Sequence, residues 1–157
     1  MKMKTIIIGL YALLCPIFIW AQQPSYDIVN AGTGKDGNYL VMVSLVMTKT
    51  DGARDMLKYC AVHGVIFKGV AGNDGDGMDH KALIKDPSVE QTKADFFKTF
   101  FGNKEYERYV SLIDSSYRCV KEKRKDYLVS ATLMVHKESL LKYLEDSGIV
   151  KGFSSLW

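Results

Sequence analysis

The sequence predicts an α+β fold, a two-layer sandwich in which a mixed sheet of about four strands carries three helices mainly on one face. Its composition, with 47% hydrophobic residues, 25% charged residues and 3 prolines in 157 positions, is typical of a globular chain. Stretches of strand composition alternate with stretches of helical periodicity in the order β-α-β-α-β-β-α. A single domain over residues 39–157 accommodates every predicted element.

The first 21 residues predict a cleavable signal peptide. Lys2 and Lys4 form a short basic start, residues 5–21 carry no charge, and Ala21 supplies a small residue before the cut. The alternative is an uncleaved anchor, but this uncharged run is shorter than the roughly 20 residues that span a bilayer comfortably. We therefore favour cleavage and expect no stable membrane span after it. The predicted location is the periplasm or the cell envelope, with secretion into the medium as the alternative.

Charge argues against a nucleic-acid partner. Without the two leader lysines, the 21 basic and 18 acidic residues leave a net charge of +1. A near-neutral domain lacks the general electrostatic attraction for a polyanion. The most basic segment, residues 121–125 (the basic turn), is typical of a solvated turn, with binding of an anionic lipid or polysaccharide as the alternative.

The first half of the mature chain predicts an irregular start and then a strand-helix-strand unit. One proline and three glycines make residues 22–38 an irregular lead-in. Residues 39–47 are apolar on both faces, as in a central strand. Helical spacing over residues 51–64, ended by Gly64, leads to a second strand over residues 65–70, which we expect to run parallel to the first.

The second half predicts a polar loop, a helix, a hairpin and a last helix. Residues 71–87 are too polar and too rich in glycine to be buried. The next helix presents four rings on one apolar stripe, Phe96, Phe97, Phe100 and Phe101. Residues 109–120 and 127–135 predict antiparallel strands joined by the basic turn, and residues 137–147 predict the last helix.

Export changes how the cysteines are interpreted. Cys15 leaves with the signal peptide, so the mature chain keeps Cys60 and Cys119 in a compartment where disulfides persist. A disulfide between them is one alternative. Two buried thiols that pack as small apolar side chains are the other, and we favour it because nothing in the sequence places the two Cα atoms within bridging distance.

The polar loop supplies the candidate binding residues, Asp74, Asp76, Asp79 and His80. Carboxylates on a flexible loop suit Ca²⁺, but their spacing puts Met78 and Lys85 where ligands belong. Residues 31–37 share glycines and a lysine with phosphate-binding loops, yet a strand follows them instead of a helix. We therefore predict neither a metal nor a cofactor.

Cys60 and His63 lie three residues apart on the predicted helix. A structural zinc site needs four such ligands, and a matching second pair is missing from the sequence. A nucleophilic Cys60 with His63 as its base needs an accessible thiol, whereas the apolar stripe turns Cys60 into the core. We therefore expect His63 to help end the helix beside Gly64, near the negative end of the helix dipole, and we predict no catalytic residue.

Four segments carry a resemblance: GTGKDGNYLVMVSLVMTK, AVHGVIFKGV, ADFFKTFF and KYLEDSGIVKGFSSLW. Together they resemble a family of short, exported, uncharacterised proteins of Bacteroidota, over nearly the whole mature chain. The family's motif positions are occupied here by Gly34, Gly37, His63, Gly64, Gly69, Gly148 and Gly152. The resemblance implies a fold and an exported location, and it implies no activity.

Two functions from different classes fit these observations. The first, which we favour, is a noncatalytic envelope module that binds an envelope protein or a surface component through a sheet edge or the polar loop. The second is a small secreted or periplasmic hydrolase with a site built from His63, His80, Asp76 or Asp79.

Overall fold

The computed structural model describes residues 24–34, 37–73 and 78–151. The predicted signal peptide and two of the predicted loop residues, Asp74 and Asp76, lie outside the described residues. The described part of the chain has the predicted α+β class, with one sheet of five strands and four helices.

The strands are β1 (Tyr26–Thr33), β2 (Tyr39–Met47), β3 (Val110–Leu112), β4 (Arg118–Lys121) and β5 (Tyr127–Val135). The helices are α1 (Ala53–His63), α2 (Val89–Thr92), α3 (Ala94–Gly102) and α4 (Lys137–Asp146). The strand order is β1-β2-β5-β3, and β4 also pairs with β5, so β3 and β4 lie end to end along the same side of β5.

The sheet is antiparallel rather than mixed, which corrects the predicted parallel strand over residues 65–70. Gly64 keeps a helical φ of −62°, and α1 continues as a wider π turn over Gly64–Lys68. The helix ends at Gly69, whose φ is 79° and whose N–H donates to the carbonyl of Gly64 at 2.8 Å. The apolar run is buried helix, and a short apolar run cannot be distinguished from a strand by periodicity.

The predicted lead-in is also corrected, because residues 26–33 form the edge strand β1 against β2. Tyr26, Ile28 and Asn30 alternate toward the buried face of the sheet. A register shift between Asn30 and Gly32 marks a bulge, and Gly32 has a φ of 131°. The glycines that indicated irregular chain therefore shape a bulge and a turn within the sheet.

The predicted hairpin forms with an interruption in its first strand. A 3₁₀ turn over Asp114–Ser116 separates β3 from β4, while β5 runs unbroken opposite both. Ser116 bridges the gap, because its hydroxyl accepts from the N–H of Thr132 at 2.8 Å and donates to the carbonyl of Ile113 at 2.6 Å. The last helix, α4, lies where the sequence predicts it.

The core lies on one face of the sheet, as predicted. Every second residue of β2 and β5 is buried there, namely Val41, Val43, Leu45, Val129, Ala131, Leu133 and Val135. The helical layer buries Leu57 of α1, Phe97 and Phe100 of α3, and Leu140 and Leu144 of α4 in the same cluster. The opposite, outer face of the sheet contributes no residue to the buried core within the described ranges.

Candidate functional site

The described residues of the predicted binding loop fasten that loop to the end of the sheet. Asp79 accepts a hydrogen bond from the N–H of Gly72 at 2.6 Å. His80 stacks on Tyr39, with ring centroids 4.2 Å apart, and its Nε2 lies 3.4 Å from Nδ2 of Asn30. Both side chains therefore have structural partners within the fold.

The backbone around His80 is held in the same way. Its N–H and carbonyl pair with those of Val70 at 2.9 and 2.8 Å. Asn30, which is buried in β1, donates from its side chain to the carbonyl of Met78 at 3.3 Å. Over the described ranges, no three His, Cys, Asp or Glu side chains are grouped closely enough to hold a metal ion.

His63 is the most buried polar side chain of the described core, at 2% exposure. Its Nδ1 lies 2.6 Å from the hydroxyl of Tyr26, and its Nε2 lies 3.2 Å from Oε1 of Glu90. The rings of Tyr59, Phe67 and Phe101 surround it at centroid distances of 5.6, 5.0 and 5.9 Å. His63 thus connects β1, α1 and α2, and it does not end the helix as the sequence suggested.

Burial sets the protonation of this cluster. Desolvation raises the pKa of Tyr26, so its hydroxyl keeps the proton and donates to Nδ1 of His63. Desolvation also lowers the pKa of His63, although the hydrogen bond to Glu90 opposes this shift. The neutral imidazole then donates from Nε2 to the Glu90 carboxylate, and both ring nitrogens are satisfied inside the protein.

Both cysteines are free thiols in the structure. Cys60 is fully buried, and desolvation raises its pKa to about 12, so the thiol stays protonated at neutral pH. The two ring nitrogens of His63 are occupied by Tyr26 and Glu90, so His63 is not available as the base that a nucleophilic Cys60 would need. Cys119 lies exposed on β4, contrary to the expectation that both thiols are buried.

The outer face of the sheet exposes large apolar side chains. Val46 is 52% exposed, and cross-strand pairing sets it beside Leu128, which in turn lies beside Val120 at 56% exposure. We call Val46, Leu128 and Val120 the apolar row. Met42, at 43% exposure, lies farther along the same face.

β4 has a free edge beside this row. Glu122 donates its N–H to the carbonyl of Asp126 at 2.9 Å, which makes residues 122 and 126 a hydrogen-bonded pair. Because such pairs alternate along an antiparallel ladder, the backbone N–H and C=O groups of Cys119 and Lys121 point away from β5. No residue of the described chain pairs with this β4 edge. By contrast, the edge of β1 that faces away from β2 is partly covered, since Asn30 donates its N–H to the carbonyl of Ala71.

The basic turn continues directly from β4, and every residue in it is exposed. Its four basic residues and one acid stand beside Arg118, which is also exposed. The ion pairs of the described chain involve other residues, so these positive charges have no acidic partner among them. The apolar row, the β4 edge and the basic turn form one continuous candidate surface.

Two partners of His63, Tyr26 and Glu90, and the exposed outer face of the sheet were not predicted from the sequence. The alternation of Tyr26, Ile28 and Asn30 is a signal that identifies β1, although the nearby glycines mask it. A strand that is apolar on both faces carries no signal that one face stays open. None of the helices described is long and apolar enough to cross a bilayer.

Comparisons with known proteins assign no relative. No protein-family model, no curated protein and no solved structure matches the chain.

Proposed function

We propose that this chain is an exported, noncatalytic binding module of the cell envelope, and that it captures an extended acidic segment of a partner protein along the β4 edge. The predicted signal peptide supports the export part of the proposal. The juxtaposition of a free strand edge, an apolar row and a basic turn carries the binding part.

The backbone of β4 offers the first component of binding. The outward N–H and C=O groups of Cys119 and Lys121 are those that a further antiparallel strand requires. Main-chain hydrogen bonds of this kind give affinity in strand addition, while side-chain contacts give specificity. An extended partner segment therefore suits this edge better than a helix does.

The side chains around the β4 edge indicate which partner sequence would bind there. An added strand extends the outer face, so an apolar residue on it continues the apolar row from Val120. Arg118, Lys121 and the basic turn favour acidic residues on either side of that apolar position. A second copy of this chain is disfavoured, because joining two β4 edges brings basic residues against basic residues.

A peptide probe tests strand addition. A capped peptide of about ten residues that alternates Glu and Val has the length of a natural strand. Cys119→Pro removes one outward N–H and leaves the ladder to β5 intact, whereas Cys119→Ser keeps that N–H. We expect Cys119→Pro to weaken peptide binding by about tenfold or more, and Cys119→Ser by less than about twofold. Equal affinities of the two variants would overturn the proposed edge.

Charge reversal tests the basic turn. The triple variant Lys123→Glu, Arg124→Glu, Lys125→Glu should weaken binding of the acidic peptide by about tenfold or more. A matched triple at exposed helical-layer positions, Lys93→Glu, Lys98→Glu and Lys142→Glu, makes the same change in net charge and should have little effect. A peptide with Lys in place of Glu should bind the unmodified chain at least about tenfold more weakly than the acidic peptide does. If both triples lose affinity equally, only general charge attracts the peptide, and the site is wrong.

Fractionation with intact-mass measurement tests the location. We expect the envelope fraction to hold a chain that lacks residues 1–21 and begins at Gln22. The Cys119→Pro and Cys119→Ser chains can then be crosslinked in that fraction. If a partner adds a strand at β4, the Cys119→Ser chain should give a crosslinked adduct with that partner, and the Cys119→Pro chain should not. Full-length chain confined to the cytosol would contradict the export part independently of the binding part.

A further inference from the structure

A groove of about 420 Å³ lies between the π turn that ends α1 and the segment over residues 81–87. We call it the lysine groove, because Lys68, Lys81 and Lys85 line it. Its remaining lining residues, among them Phe67 and Ile84, are apolar. The groove is separate from β4 and borders the histidine cluster, because Phe67 lines the groove and also packs on His63. The sequence gives no indication of the groove, because its lysines come from two segments, residues 67–68 and 81–85.

The walls of the groove are held in place by backbone contacts. Leu83 and Ile84 donate their N–H groups to the carbonyls of Val65 and Ile66 at 3.1 and 2.9 Å. Gly69 allows the two segments to approach, since a Cβ there would lie 2.6 Å from the carbonyl oxygen of His80. The groove is therefore formed before any ligand arrives, which reduces the ordering cost of binding.

The lysines of the groove form no ion pair with a described residue, and one of them already contacts an aromatic ring. The Nζ atom of Lys68 lies 3.7 Å from the ring centroid of Tyr26. None of the ion pairs formed within residues 24–34, 37–73 and 78–151 uses Lys68, Lys81 or Lys85. Asp86, the acid within this segment, accepts a hydrogen bond from the N–H of Ser88 at 2.9 Å.

We propose that the lysine groove binds a small anionic amphiphile, a molecule with a phosphate or carboxylate head and an apolar body. Lys81 and Lys85 supply the contact for the head, since Lys68 lies over the Tyr26 ring, and the apolar lining supplies the contact for the body. The volume matches the range of about 300 to 1,000 Å³ of small-molecule sites, so a polymer is not required to fill it. This ligand site is independent of strand addition at β4, and either proposal can fail without the other.

Titration of the mature chain with monomeric octyl phosphate, followed by amide NMR, tests the site. We expect shifts at residues 67–68 and 81–85, and binding about tenfold or more stronger than that of inorganic phosphate or of neutral 1-octanol. Vesicles of phosphatidylglycerol and of phosphatidylcholine distinguish the source of the head group. Preference for the anionic vesicles indicates a lipid headgroup, while binding of octyl phosphate alone indicates a free amphiphile.

Two variants and a matched control sharpen the test. Lys81→Glu with Lys85→Glu should weaken octyl phosphate binding by about tenfold or more, while Lys98→Glu with Lys142→Glu makes the same charge change elsewhere and should leave it unchanged. Ala82→Trp fills the groove with the lysines in place and should also abolish binding. Shifts that map elsewhere, equal losses in the two charge variants, or octanol binding as strong as octyl phosphate would overturn the proposal.

Discussion

The two faces of the sheet carry similar side chains on β2 and have opposite surroundings. Val41 and Val43 point inward and are completely buried, while Met42 and Val46 point outward and are 43% and 52% exposed. A strand that is apolar on both faces predicts two covered faces, yet the described chain covers one. The difference teaches that apolar residues on a strand face indicate a surface suited to packing, and that the packing partner need not belong to the same chain.

The largest expected effect is a difference in the free energy of unfolding between substitutions on the two faces. Leu133→Ala removes a fully buried side chain from the inner face of β5 and should cost about 2–5 kcal/mol in the free energy of unfolding. Val46→Thr, on the outer face, should change it by no more than about 0.5 kcal/mol. Urea denaturation of both variants measures the comparison. A loss at Val46 as large as the loss at Leu133 would mean that the outer face is covered in the native protein.

A glycine pair tests how tightly the helical layer meets the inner face. A Cβ at Gly64 would lie 2.7 Å from Cδ1 of Ile28 on β1, so Gly64→Ala should destabilise the fold by about 1–3 kcal/mol. Gly102 has open space around the same position, and Gly102→Ala should be neutral or stabilising by up to about 1 kcal/mol. Thermal or urea unfolding of the two variants provides the measurement. Equal effects would show that α1 does not pack closely on β1.

The smallest effect concerns pH and the cluster behind the inner face. The pKa of His63 is lowered in the folded state by desolvation, so the unfolded chain binds the proton more readily. The free energy of unfolding is therefore not reduced by His63 at pH values above 6.5, the pKa of the unfolded state. It decreases as the pH falls from 6.5 toward the lower pKa of the folded state. The slope cannot exceed about 1.4 kcal/mol per pH unit for one proton.

His63→Gln removes the titrating group and should flatten this part of the stability profile. Unfolding free energies from urea melts between neutral and mildly acidic pH measure the change. Because Tyr26 and Glu90 also lose a partner, the variant should be less stable at every pH, and the slope rather than the absolute value is diagnostic. A variant that retains the full slope would show that another group is responsible.

Elements with strong local patterns were predicted with useful accuracy. The stripe of Phe97 and Phe100 is buried in α3, and Leu140 with Leu144 is buried in α4. The alternation along residues 127–135 identified the inner face of β5. In each case the spacing of apolar side chains within one segment is sufficient, since that spacing reports which side faces the core.

The candidate surface has a weaker signal in the sequence. Asp79 and His80 lie in the predicted loop, but their hydrogen-bond and stacking partners belong to the fold itself. The surface that carries the proposed function includes the basic turn, which the sequence identified, and the apolar row, which it did not. The row exists only because the register of three strands brings Val46, Leu128 and Val120 together.

By itself, the sequence determined the α+β class, the terminal hairpin and helix, and the aromatic stripe of α3, because these depend on periodicity within a few turns or strand residues. Only the tertiary structure decided that residues 64–68 continue a helix and that Tyr26 and Glu90 meet His63. It also decided that the described residues leave one face of the sheet and the β4 edge uncovered. These features depend on contacts between segments far apart in the chain, and local spacing carries no information about such contacts.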